Sequence, residues 1–491
     1  MLPEELYSAA AVRRIEGEAI AAGVAGYALM QRAAAAALAA LRRRWPEAGS
    51  IAVVAGPGNN GGDGLVLARL AHAAGMNVAT LLVGEPEALR GEAGQALRDL
   101  RGAALQVQPF DGKLLSNHDV IVDALLGLGV RAPLRPEWVD AIERMNSCGR
   151  PILSLDLPSG LHPDSGHAIP AVRASATISF LALKQGLLLA QGPEHTGELL
   201  FDDLGVAATP DVPAVMRHIR DSCLAGALPP RPRDSHKGMF GRVLVIGGGG
   251  GMPGAVRLAA ESALRTGAGL VRVASLPEHL ETIVGPRPEL MFHAVAQPAE
   301  IDSALAEADV VAMGPGLGRS RWAQEVFERV CSTRRPGQRL VLDADALNLL
   351  AAGTRHRDDW VLTPHPGEAA RLLGIDAQSV QQNRLAALES LCEQRGGTIV
   401  LKGAATLVGS AGELPRLSTR GNPGMSVAGM GDVLTGAVAG ILAQGASPLV
   451  AATAAVHAHA LAGDRCAARG LRGILASEVA QELRVVLSSL P

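Results

Sequence analysis

A chain of 491 residues that is 48% hydrophobic and only 2% aromatic is long enough for two or three domains, with cores resting on Ala, Gly, Leu and Val. A net charge of −3 excludes a partner held by bulk electrostatics, nucleic acid above all. Cys148, Cys223, Cys331, Cys392 and Cys466 lack metal-site spacing, and Arg, Glu or His interrupts the long apolar helices, so the expectation is reduced thiols in the cytoplasm and no membrane span.

Along the chain, residues 1–45 read as helical, ending in the Ala-rich run closed by Arg42, Arg43 and Arg44. A strand at 51–55, a glycine-rich loop at 56–64 and a helix at 65–74 follow. Further strands are expected near 78–83, 107, 120–123, 152–156 and 176–180. Short apolar strands alternating with helices predict a mostly parallel sheet covered on both faces. Its ligand belongs at the carboxyl ends of the strands. Between 205 and 235 the pattern breaks at Pro210, Pro213, Pro229, Pro230 and Pro232, which predicts a domain boundary. The expected domains are 1–215 and 225–491. The second opens on a strand at 242–246, continues with strands near 270–274, 309–313, 339–343, 360–362 and 398–402, and ends almost wholly helical from 432 to 487. The halves share no repeat.

In the first half three polar clusters fall at strand ends. The loop at 58–64, Gly-Asn-Asn-Gly-Gly-Asp-Gly, joins a strand to a helix, where phosphates bind, yet it matches neither a Walker loop nor the dinucleotide fingerprint. Val122-Asp123-Ala124-Leu125-Leu126-Gly127 and Asp156-Leu157-Pro158-Ser159-Gly160 end strands in an acid. Asn60, Asp123 and Ser159 offer hard oxygen ligands for an alkali or divalent cation. Asp156 is placed to act as acid or base.

In the second half, residues 421–436 combine a glycine-rich turn, one acid and a helix start. Unpaired N–H groups at that start suit a phosphate, and Asp432 suits proton acceptance from an alcohol during phosphoryl transfer. Only four of the 45 basic residues are lysines. One of them, Lys402, ends an apolar strand and offers a point charge to phosphate. Glycines at 314, 316 and 318 suit close packing on a flat ligand, and His365 sits in a rigid Pro-flanked loop.

The motifs at 58–64, 122–127 and 156–160 resemble the epimerase domain of the NAD(P)H-hydrate repair enzymes over residues 1–210. The second half, over 225–491, resembles the ADP-dependent NAD(P)H-hydrate dehydratase domain. That likeness rests on His236-Lys237-Gly238, Gly254-Ala255, Gly314-Pro315-Gly316-Leu317-Gly318, Leu342-Asp343-Ala344-Asp345-Ala346-Leu347-Asn348, Thr363-Pro364-His365-Pro366-Gly367-Glu368, Leu401-Lys402-Gly403 and the stretch around Asp432. The resemblance implies an α/β protein of two domains, a Rossmann-like three-layer α/β/α sandwich followed by a ribokinase-like α/β domain.

It also implies the site residues. In the first domain Asn59, Asn60, Gly61, Gly62 and Asp63, with Gly127, Leu128, Gly129, Val130, Arg131, Ala132 and Pro133, would bind the damaged cofactor. Asn60, Asp123 and Ser159 would hold potassium, and Asp156 would be the acid nearest the chemistry. In the second, Ala255, Gly318 and His365 would contact the hydrated cofactor. Lys402, Gly403, Ala404, Ala405, Thr406 and Gly431 would contact the adenosine nucleotide, and Asp432 would be the catalytic acid. ADP and magnesium are implied co-reactants, and NADHX and NADPHX, the hydrated forms of NADH and NADPH, are the implied substrates. Two departures stand out: Glu16 where the family has Asp, and Gln31 where it has Glu. An ATP-dependent vitamin-type hydroxyl kinase with a non-catalytic N-terminal ligand-binding domain is the alternative. Wide apolar helices in both halves point to a homo-oligomer.

Overall fold

The strand Ser50–Ala55 shows how the first half folds. Ile51, Val53 and Ala55 belong to one apolar cluster, while Ala52 and Val54 belong to another, the period-two alternation of a strand covered on both faces. The first cluster is closed by the helices Gly26–Arg44, Asn59–Ala73 and Gly91–Gly102, the second by Pro136–Ser147. Val53, Leu65 and Ile121 are fully buried, each contributing about 1.5–3 kcal/mol of apolar burial. The computed structural model describes residues 2–206 and 211–488, so Pro210 of the proline-rich segment lies outside the described residues.

The chain divides into two units, Met1–Arg217 and His218–Pro491. In the first, seven strands lie in the order Val107–Pro109, Asn77–Leu82, Ser50–Ala55, Val120–Ala124, Ile152–Leu155, Ala176–Phe180, Glu198–Asp202. Every pairing among them is parallel. In the second, parallel strands run in the order Thr398–Leu401, Trp360–Leu362, Arg339–Leu342, Val310–Met313, Arg242–Ile246, Leu270–Ser275, Met291–Ala294. The antiparallel strands Leu407–Ser410 and Arg416–Leu417 extend the Thr398 side.

Several boundaries differ from the sequence expectation. Residues 1–45 are not one helix: Glu5–Leu6 is a strand, and helices Ala9–Ala21 and Gly26–Arg44 are separated at Gly23, whose φ of +100° suits glycine. The helix expected at 65–74 begins at Asn59, within the glycine run. A Cβ at Gly61 would stand 1.9 Å from the Gly56 carbonyl oxygen. Glycine there therefore lets the first helical turn fold back on the loop before it. Glu198–Asp202, Met291–Ala294, Leu407–Ser410 and Arg416–Leu417 are strands that sequence reasoning missed. Among the described residues no single helix is long and apolar enough to cross a membrane.

In the second unit, helix Met430–Ala443 lies directly on helix Pro253–Arg265. A Cβ at Gly436 would meet the Ala259 carbonyl oxygen at 1.9 Å, and the Ser262 hydroxyl donates to the Val433 carbonyl at 2.6 Å. This contact fixes the direction of the helix that begins beside Asp432.

Candidate active sites

In the first unit, the loop after Ser50–Ala55, the end of Val120–Ala124 and the turn after Ile152–Leu155 lie at the carboxyl ends of adjacent strands. They border a cavity of about 670 Å³ lined by Asn59, Asn60, Asp63, Gly127, Leu128, Gly129 and Asp156 among others, within the range of small-molecule sites. The expected contacts at 130–133 do not line it: Val130 is buried in an apolar cluster, and Arg131, Ala132 and Pro133 are exposed. Gly61 and Gly62 are buried under the loop and shape it from behind.

Asp156 has a φ of +65°, a left-handed conformation that costs a non-glycine residue of order 1–2 kcal/mol. Its carboxylate accepts from the Phe180 N–H at 3.2 Å and from the ammonium of Lys184. Lys184 is only 1% exposed and also donates to the Phe180 carbonyl at 2.7 Å. Sequence reasoning missed it. No motif surrounds Lys184, and the scarcity of lysine was the only signal.

Glu16 and Asp63 line the same cavity. Burial, then the nearby Asp156, raises the Glu16 carboxyl above its ordinary range. The same causes push Asp63 well above it, with Glu16 adding to the effect. The pocket thus sets a lysine-paired carboxylate beside two carboxyls that burial shifts upward. The Glu16 departure keeps a carboxyl in the cavity. Gln31 is exposed and outside the lining, whereas its neighbour Met30 is part of it.

Behind this wall the three expected potassium ligands come together. Asp123 is fully buried. It accepts from the Ser159 hydroxyl at 2.5 Å, the Ser154 hydroxyl at 2.7 Å and the Ser159 N–H at 2.9 Å. Burial pushes its carboxyl up even though these hydrogen bonds pull it down. Asn60 donates to the Leu126 carbonyl at 2.9 Å, and the Leu126 N–H donates to Ser159 Oγ at 2.7 Å. Asn60 Oδ1 is buried with no hydrogen-bond partner. A buried carboxylate held by hydroxyl and amide donors and an amide oxygen with no hydrogen-bond partner are ligands that suit a monovalent cation.

In the second unit four adjacent strands deliver the site at their carboxyl ends. Val310–Met313 leads to Gly314, Arg339–Leu342 to Asp343, Trp360–Leu362 to His365 and Glu368, and Thr398–Leu401 to Lys402. Lys402 Nζ lies 2.6 Å from Asp343 Oδ1 and 3.8 Å from Glu368 Oε2. Burial opposes the Lys402 charge, but the Asp343 and Glu368 carboxylates outweigh it and hold the ammonium above its ordinary range. A Cβ at Gly431 would stand 3.2 Å from Lys402 Nζ, so the expected nucleotide residues Lys402 and Gly431 do meet. Gly403 to Thr406 form the turn beyond Lys402. Buried Arg384 donates to the Leu401, Lys402 and Ala405 carbonyls at 3.0, 3.3 and 3.4 Å, a support that carried no sequence signal.

Asp432 lies in the first turn of helix Met430–Ala443. Burial first, then Asp343, with Asp345 and Glu368 adding, raises its carboxyl to about 7, against the pull of Lys402. That is where a general base working near neutrality belongs. Gly318 donates its N–H to Asp345 Oδ2 at 2.9 Å, and Ala255 approaches the Gly314–Gly318 turn at Gly316. The His365 ring caps its helix: Nδ1 accepts from the Gly367 N–H at 3.0 Å, while the Glu368 carboxylate accepts from the His365 N–H at 2.8 Å. Burial, then Lys402, lowers the His365 imidazole, and with Nδ1 accepting a backbone N–H, Nε2 is the ring nitrogen left to donate.

Glycine-rich helix starts and lysine-paired acids at the carboxyl ends of two α/β sheets mark a fused enzyme with two candidate active sites, the second half ribokinase-like. Residues 243–484 match the family model of NAD(P)H-hydrate dehydratase, and residues 26–186 match that of the YjeF-related protein N-terminus. The bifunctional NAD(P)H-hydrate repair enzyme of Coxiella burnetii is 46% identical over 98% of this chain and 99% of that one. Its Escherichia coli counterpart is 40% identical over 99% and 95%. A ribokinase-like superfamily protein of Enterococcus faecalis, 32% identical, superposes with a TM-score of 0.53 over 56% of this chain and 95% of that one. The chain belongs to the bifunctional NAD(P)H-hydrate repair enzymes.

Proposed function

We propose that the second unit transfers the β-phosphoryl group of ADP to the 6-hydroxyl of S-configured hydrated NADH or NADPH, and that the first unit interconverts the R and S hydrates. The observation that carries the reading is Asp432, a carboxyl raised to about 7 one residue from the glycine that meets Lys402. Water adds across the C5–C6 double bond of the reduced nicotinamide ring, and hydroxide is a poor leaving group from carbon. Phosphorylation makes it a good one. Asp432 accepts the 6-hydroxyl proton as that oxygen bonds to phosphorus and AMP departs. Phosphate then leaves C6 as the C5 proton is lost, which restores the double bond. The N–H groups at the helix start and the Lys402 ammonium hold the charge on the transferring oxygens. Gly403 to Thr406 hold the nucleotide, and Ala255, Gly318 and His365 hold the hydrate.

Magnesium, when bound, neutralises the nucleotide phosphates. Among the described residues no group of three His, Cys, Asp or Glu side chains is placed to hold a metal, so its ligands would come largely from phosphate and water.

In the first unit the ring nitrogen expels the 6-hydroxyl and water returns on either face. Asp156 acts as the base, and its ion pair with Lys184 holds it oriented. Asp63 and Glu16 supply the proton for the departing hydroxyl. Potassium on Asn60, Asp123 and Ser159 would fix the loop that presents Asn60 and Gly127. A cytoplasmic location and a homo-oligomeric state belong to the same proposal. The five cysteines are free thiols, which suits a reducing compartment.

The test is a full-chain assay on separated R and S hydrates with ADP and magnesium. Recovery of reduced nicotinamide from S in step with AMP formation, and from R only as fast as R becomes S, is expected. ATP-dependent phosphorylation of a vitamin-type alcohol with no turnover of either hydrate would overturn the reading.

A further inference from the structure

Asp343 sits where a helix N-cap is expected, immediately before helix Ala344–Leu350, yet its side chain does not cap that helix. The carboxylate is 1% exposed and turns the other way. Oδ1 takes the Lys402 ammonium at 2.6 Å, and Oδ2 takes the Thr435 hydroxyl at 2.7 Å. Thr435 lies one turn along the helix that carries Asp432. One carboxylate therefore ties the Lys402 strand end to the Asp432 helix. A Cβ on Gly431 would lie 3.6 Å from Asp343 Oδ2 and 3.2 Å from Lys402 Nζ. The pair thus packs directly under the Gly431 backbone.

An N-cap aspartate gains about 1 kcal/mol by bonding its own helix. Asp343 forgoes that bond and makes two others, and a buried lysine–carboxylate pair of this kind is a weak source of stability. Its geometry serves the site. Resting on the functional reading above, we propose that Asp343 is a positioning residue for phosphoryl transfer, holding the Lys402 ammonium beneath Gly431 and anchoring through Thr435 the helix that presents Asp432.

The charged groups acting on Asp432 are Asp343, Lys402, Asp345 and Glu368, and those acting on Lys402 are Asp343, Glu368 and Asp432. Removing the Asp343 charge takes one like charge from Asp432 and one partner from Lys402. The lost like charge lowers the proton affinity of Asp432, by about one pH unit, and the lost partner lowers that of Lys402.

The experiment compares wild type, Asp343→Asn and Thr435→Val in the full chain. It measures kcat, KM for ADP, the pH profile of kcat/KM and proton exchange on ADP binding by calorimetry. Epimerisation by the first unit serves as the internal control for intact protein. Expected for Asp343→Asn is a fall in kcat of about 100-fold, a change in KM for ADP below about fivefold, and an acid limb shifted to lower pH by about one unit. Thr435→Val should lose about tenfold in kcat with a smaller pH shift, so the proposal stays testable if Asp343→Asn does not fold. An unmoved acid limb with kcat within threefold of wild type, or a loss confined to thermal stability, would overturn it. If wild type turns over no hydrate, the functional reading fails by itself. The proposal then stands or falls on whether Asp343→Asn changes the number of protons exchanged when ADP binds.

Discussion

Lys184, buried to 1% exposure, carries its ammonium onto the carboxylate of Asp156, and the left-handed backbone of Asp156 aims that carboxylate into the first cavity. Removing either partner leaves the other as an uncompensated buried charge. We expect Asp156→Ala to stop interconversion of the R and S hydrates while dehydration of S continues. Lys184→Met should slow interconversion about 100-fold or more. Chromatographic resolution of a pure R hydrate over time, with spontaneous epimerisation subtracted, checks both. Rates within threefold of wild type would remove the pair from the chemistry.

Potassium dependence should be confined to the first unit. Asn60 Oδ1 has no hydrogen-bond partner and the Asp123 carboxylate is fully buried, so replacing potassium by a large organic cation should slow epimerisation and lower the unfolding temperature of that unit. Asp123→Asn should abolish the potassium response. A potassium response that persists unchanged in Asp123→Asn would place the ion elsewhere.

The raised Asp432 carboxyl has a consequence for stability. Its folded value of about 7 lies above the ordinary aspartate value near 3.9 in an unfolded chain. The folded state therefore holds this proton more tightly, and the stability it confers at low pH is lost as pH rises from about 4 through 7. Asp432→Asn, which cannot ionise, should stabilise the second unit by about 2–4 kcal/mol more at pH 8 than at pH 3, since at pH 3 Asp432 is protonated in the folded and the unfolded chain alike. Thermal unfolding at the two pH values checks this. Equal shifts at both would contradict the raised carboxyl.

ADP should be preferred to ATP as phosphoryl donor. The preference comes from the family likeness, and no residue contact explains it. A steady-state comparison in which ATP gave the higher kcat/KM would contradict it and favour the vitamin-kinase alternative.

Much of both sites was legible because glycine and acid motifs at strand ends are local. The motifs at 58–64, 122–127, 156–160 and 421–436 identify turns that only particular residues can make, and the parallel sheet brings those turns together. What the sequence hid was nonlocal. Lys184 lies in a leucine-rich stretch with no turn chemistry, and its meaning comes from Asp156, 28 residues earlier. Asp343 appears in the sequence only as one residue of the 342–348 motif, because its partners, Lys402 and Thr435, lie 59 and 92 residues away. The helix start at Asn59 was missed because glycine runs predict loops, whereas here the absent side chains permit close packing. The short strand Leu407–Ser410 gave no periodic signal, since only its pairing with Thr398–Leu401 defines it.

The central claim is that one chain holds two separable chemistries, with Asp432 performing the ADP-dependent one. The most direct measurement is Asp432→Asn in the full chain, assayed on S hydrate with ADP by recovery of reduced-nicotinamide absorbance and on R hydrate by its conversion to S. The account predicts dehydration below a hundredth of wild type, ADP binding largely retained through Gly431 and the helix start, and unchanged epimerisation. Dehydration above a tenth of the wild-type rate, or loss of both activities in a folded protein, would contradict it.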